Sequence, residues 1–181
     1  MPTKPTWTAI KKELQNFDST DLLELIKQFY DLSTPNKSFL MGVVDKQASL
    51  EALEAPVMKE IEKAFDPPRG FPSCKTGAAR KAMRQYIKVA PIQEAIAIQL
   101  HFVEMGIRCT ATYGDIDEQF YISIETVFEE VLKQIAKHPT PRVYMAQLQK
   151  IVKSTSDMGW GFPDQLGDLF DLFKEQIGIE T

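Results

Sequence analysis

The chain has 181 residues, enough for one domain or two small ones to bury most of their apolar surface without disulfide or metal staples. Apolar residues make up 44% and charged residues 25%, the ordinary proportions of a globular protein. The net charge of -4 argues against wholesale binding to nucleic acid or an anionic membrane, which takes clustered Lys and Arg.

No apolar run approaches the roughly 18 residues of a membrane span. The start, Met1-Pro2-Thr3-Lys4-Pro5, lacks the apolar stretch of a signal peptide, so the expected location is the cytoplasm. Two cysteines, Cys74 and Cys109, are too few for a disulfide framework and read as reduced, partly buried thiols.

Along the chain, apolar positions recur at three- and four-residue spacing, and no alternating strand pattern lasts beyond a few residues. Leu22, Leu23, Leu25, Ile26, Phe29 and Tyr30 form a wide stripe after the start signal Asp18-Ser19-Thr20-Asp21. The longest stripe, Phe120, Ile124, Val127, Phe128, Val131, Leu132 and Ile135, predicts a helix over about 117–137. Prolines at Pro35, Pro91, Pro141 and Pro163 mark helix starts. Nine helices are predicted, at about 6–16, 19–32, 36–46, 50–65, 75–88, 91–106, 117–137, 141–154 and 163–177. Pro56 is expected to kink or split the fourth.

Helix pairs begin near Pro35, Lys75 and Asp115, a spacing of about 40 residues close to that of armadillo-like helical hairpins. The expected fold is therefore all-α, either a stack of helical hairpins (an armadillo-like α-solenoid) or a compact helical bundle. A single domain over residues 1–181 is expected. The Asp66-Pro67-Pro68-Arg69-Gly70-Phe71-Pro72 stretch cannot be helix, and marks either a loop or a weak subdivision near 66–74.

Two connectors stand out. Tyr113-Gly114-Asp115-Ile116-Asp117-Glu118 and Ser156-Asp157-Met158-Gly159-Trp160-Gly161-Phe162-Pro163-Asp164 are acidic, aromatic and glycine-punctuated, where ordinary connectors are short and polar. The two are expected to meet, with Tyr113 and Trp160 at one end of the fold. Asp115 and Glu118 have the spacing of a capping box, with Asp117 at the positive end of the helix dipole. Convergence of Asp115, Asp117, Asp157, Asp164 and Asp168 would instead make a divalent-metal site, although no calcium-loop spacing is present. Trp160 is expected to fold back onto the core, with an exposed recognition residue as the alternative. Asp164, Asp168, Asp171 and Glu175 line one face of the last helix, read as a solvated acidic face.

His101 lies on the polar side of its helix, expected to ion-pair with Glu104 three residues on. Neither histidine has a Ser or Cys nucleophile beside it in a catalytic motif, and no cofactor is implied. Arg80, Arg84 and Lys88 line one face of a helix that carries no acid, while Cys109 to Leu132 holds six acids and no base. Stacked hairpins would let these charges complement each other. An exposed basic stripe would bind phosphate-rich ligands or RNA, but only Tyr86 interleaves the bases.

Several of these motifs carry a family resemblance. They are Ile10-Lys11-Lys12-Glu13-Leu14 with Leu22-Leu23-Glu24-Leu25-Ile26, then His101-Phe102-Val103-Glu104-Met105-Gly106, Thr112-Tyr113-Gly114-Asp115-Ile116-Asp117-Glu118 and Phe120-Tyr121. Thr155-Ser156-Asp157 and Gly159-Trp160-Gly161-Phe162, with Asp164, Leu166 and Asp168, complete the set. Together they resemble a bacterial family catalogued only as a domain of unknown function. The resemblance implies a helical, cytoplasmic bacterial protein and carries over no catalytic residue.

The leading functional expectation is a non-enzymatic protein-interaction module, since hairpin stacks commonly present a groove to a partner. Its rivals are a regulator binding phosphate-rich ligands through Arg80, Arg84 and Lys88, and a metal-dependent hydrolase built on the connector carboxylates.

Overall fold

The second helix starts at a side-chain cap. Asp18 Oδ1 accepts the amides of Thr20 and Asp21 at 2.7 and 2.9 Å, and Asp21 returns an oxygen to the Asp18 amide at 3.3 Å. That reciprocal box starts helix α2 (Ser19–Leu32). The computed structural model describes residues 6–44 and 46–179. Among the described residues there are nine α-helices, one 3-10 turn and no strand, so the chain is all-α.

The chain divides after Glu51 into two compact units. In the first, α1 (Trp7–Leu14) and α2 are followed by α3 (Thr34–Val44), which packs against α2. The Asn36 side-chain amide donates to the Phe29 carbonyl at 2.9 Å across that pair. No side chain of these three helices is buried.

Helix α4 (Lys46–Phe65) carries the chain into the second unit. Pro56 does not split it. A proline costs an interior helix about 3 kcal/mol, but Val57, Ile61, Ala64 and Phe65 just downstream are all buried and hold the helix in place.

The second unit continues with α5 (Gly77–Ile87), α6 (Ile92–Tyr113), α7 (Glu118–Ile135), α8 (Met145–Lys153, entered through a 3-10 turn at Pro141–Tyr144) and α9 (Phe162–Gln176). The 66–74 segment lies inside this unit. It is tied back by Ser73 and Cys74 amides donating to the Lys63 and Ala64 carbonyls at 3.3 and 3.0 Å, and by an Arg108–Asp66 ion pair at 2.6 Å.

The pair α6–α7 is the centre of the fold. Helix α6 runs to Tyr113 instead of stopping near 106. Gly106 is no helix stop: a Cβ there would sit 2.4 Å from Ile124 Cδ1, so the glycine lets α6 and α7 approach closely. Phe65 stands edge-on to Phe102 at 5.0 Å and to Phe120 at 5.8 Å between ring centroids, closing the core from the α4 side. Such pairs add about 0.5–1.5 kcal/mol each beyond the area they bury.

Candidate functional site

The two connectors meet through a single carboxylate. Asp115 Oδ1 accepts the Tyr121 hydroxyl at 2.5 Å and the Gly159 backbone amide at 3.3 Å. It thus joins the end of α6, the first turns of α7 and the connector into α9. Asp115 is therefore not the cap of α7. Asp117 is, accepting the Phe120 amide at 2.8 Å, while Glu118 is the first residue of the helix. Two candidate carboxylates stand two apart at this helix start, and tertiary contacts with Tyr121 and Gly159 claim the first of them.

Tyr121 is almost fully buried, and its ring lies 4.9 Å from that of Phe162 between centroids. Burial, and then the bond to Asp115, push its hydroxyl up to about 12. It stays a protonated donor to the carboxylate through the neutral range.

Trp160 does not fold back onto the core. It is 59% exposed and held at φ 61, in the left-handed region that costs a non-glycine residue strain. Phe162, two residues later, is the anchor, 1% exposed. An exposed aromatic pair lies at the end of α6, where Tyr113 meets Phe71 edge-on at 6.4 Å between centroids.

Asp157, Asp164 and Asp168 are exposed, and the clasp does not include them. Among the described residues no group of three or more His, Cys, Asp or Glu side chains is placed to hold a metal ion. Asp164, Asp168, Asp171 and Glu175 form the expected solvated face, while Leu166, Phe170 and Phe173 are buried opposite.

The basic helix is complemented internally in part. Arg84 reaches Glu130 of α7 at 3.9 Å, and Thr76 at the start of α5 shares a hydrogen bond with Ser123 of α7 at 2.7 Å. Arg80 is half-buried, and burial, then Arg84, pull its pKa down against the opposing pull of Glu130. Lys88 is exposed at the end of the same helix.

The expected His101–Glu104 pair is not made. Glu104 instead accepts the Gln147 side-chain amide at 2.8 Å, from the facing helix α8. Beside that bridge lies a cavity of about 430 Å³ between α6 and α8. Sequence reasoning missed it, because its two walls are not neighbours along the chain.

No family model matches the chain, and neither does any curated protein or solved structure.

Proposed function

We propose that this chain is a non-enzymatic, cytoplasmic protein-interaction module whose docking surface is the apolar face of its N-terminal helices. The observation that carries the reading is the first unit itself. Leu25, Ile26, Phe29 and Leu32, on one side of α2, are 38%, 46%, 47% and 76% exposed, Trp7 of α1 is 69% exposed, and Val43 and Val44 of α3 are 62% and 89% exposed. An exposed apolar helix stripe with no partner within the chain is the kind of surface that interaction sites use. Three short helices with no buried side chain also gain little from folding alone, and a partner that covers them supplies the missing burial. The half-burial of Arg80 beside Glu130 of α7 interrupts the basic stripe, which supports this reading over a phosphate-binding one.

The test uses the full chain as bait, followed by hydrogen exchange with whatever protein it recovers. Protection gained at residues 7–44 in the complex, and binding lost in Ile26→Glu and Phe29→Glu while the second unit keeps its native exchange pattern, is the expected result. Protection gained only elsewhere, or binding indifferent to both substitutions, overturns it.

A further inference from the structure

The space between α6 and α8 is an open cleft in the second unit. Helix α8 packs mainly on α9, and Gln147 spans to Glu104 of α6. The gap left beside that bridge measures about 430 Å³, within the range of small-molecule sites. Its apolar part includes Met105 and Ile151, both buried. Its polar part is made by half-buried His101, exposed Arg108, Lys150 and Ser154, with Glu104 the one acid among the described lining residues.

Three features make the polar part suited to an anion. Arg108 is already oriented: Asp66, outside the lining, holds its Nη2 at 2.6 Å. A guanidinium has five N–H donors, so several remain for a ligand. Lys150 has no ion-pair partner among the described residues, and neither does His101 have a hydrogen-bond partner there. Glu104, finally, has one of its oxygens bound by Gln147, which leaves Lys150 as the cation open to a ligand beside the Arg108–Asp66 pair. Helix α8 itself carries Lys150 and Lys153 and no acid.

We propose that this cavity binds a small organic anion, a carboxylate or phosphate head on a short apolar body. Arg108 and Lys150 take the head, His101 adds a polar contact, and Met105 and Ile151 cover the body. The site is independent of the N-terminal docking surface, and neither stands or falls with the other.

Phenyl phosphate and benzoate, each titrated into the full-length protein carrying ¹³C-labelled Met and Ile methyl groups, are the probes. Saturable shifts of the Met105 and Ile151 methyls are expected with one or both anions, and none with benzyl alcohol at equal concentration. The shift belongs to phosphate or to carboxylate recognition according to which probe binds tighter. Lys150→Gln should weaken binding about tenfold, as loss of a charged hydrogen bond does. Lys153→Gln removes the same charge from the same helix outside the lining and should change affinity less than twofold. Methyl signals remote from the cavity report whether each variant is folded. Equal shifts with benzyl alcohol, equal weakening in the two lysine variants, or no saturable shift up to about 10 mM of either anion would each overturn the assignment.

Discussion

Gly159→Ala tests the carboxylate clasp most directly. A Cβ on Gly159 would lie 2.6 Å from Asp115 Oδ2 and 3.2 Å from its Cγ, so the carboxylate must swing aside. It is not free to do so at no cost, because its Oδ1 holds the Tyr121 hydroxyl at 2.5 Å and the Gly159 amide at 3.3 Å. The amide sits beside solvent and can bond to water, but the Tyr121 hydroxyl belongs to a side chain only 1% exposed. Stripping a buried donor of a charged partner costs about 1.5–3 kcal/mol, against which alanine returns about 0.4–1 kcal/mol of unfolded-state entropy. The net expectation is a loss of about 1–2 kcal/mol, or a fall in Tm of about 3–8 °C for a unit of this size. Thermal and denaturant unfolding followed by circular dichroism measures it. The decisive comparison is a double-mutant cycle with Asp115→Ala, which removes the carboxylate that the new methyl would strike. In that background Gly159→Ala should fall within about 0.5 kcal/mol of neutral. An equal cost in both backgrounds refutes the clasp.

The remaining predictions concern two buried titrating groups, Tyr121 and Cys109. Tyr121 has its folded pKa raised from the ordinary 10 to about 12, so the stability it contributes is complete below about pH 10 and is lost as pH rises from there through 12. The stability gap between wild type and Tyr121→Phe should therefore be flat up to about pH 10 and then narrow, by at most about 2–3 kcal/mol; a gap unchanged through pH 12 contradicts it. Cys109 is 2% exposed, and burial, then the nearby Cys74 thiol, push it up to about 12. Iodoacetamide at about pH 8 should label Cys74 first and reach Cys109 only on unfolding, since the thiolate is the reacting form. Peptide mass spectrometry showing equal rates in the native chain would count against that burial.

Much of the helical layout was legible because it rests on local chemistry. The Asp18 box, the α7 stripe and the acidic face of α9 each follow from spacing alone. The misreadings share one physical cause, a residue type with two uses that only a distant partner can separate. Gly106 has the composition of a helix stop, but Ile124, far along the chain, makes it a close-approach position. Asp115 and Asp117 are equally good caps by sequence, and Tyr121 with Gly159 decides between them. The α6–α8 cavity needs two helices that are not sequence neighbours, so no window along the chain displays it.

The Trp160 misreading is different, since its answer lay within the periodicity. Counting back from Phe173 and Phe170 through Leu166, the buried stripe of α9 arrives at Phe162 by steps of three, four and four. Starting the helix at Pro163 hid that last step. Once Phe162 is the inward residue, the chain must still enter α9 from the Asp115 clasp, and it does so with Trp160 and Gly161 both left-handed, at φ 61 and 68. Such a backbone costs a tryptophan about 1–3 kcal/mol. Burying Phe162 against Tyr121 contributes about 1.5–3 kcal/mol, enough to offset it. The exposed indole is thus a consequence of which aromatic the core takes. Trp160→Gly, which relieves the left-handed strain and removes only an exposed ring, should leave the second unit as stable as wild type or more so, whereas Phe162→Ala should cost about 3–5 kcal/mol. Unfolding experiments that gave Trp160→Gly the larger cost would place the anchor at the indole after all.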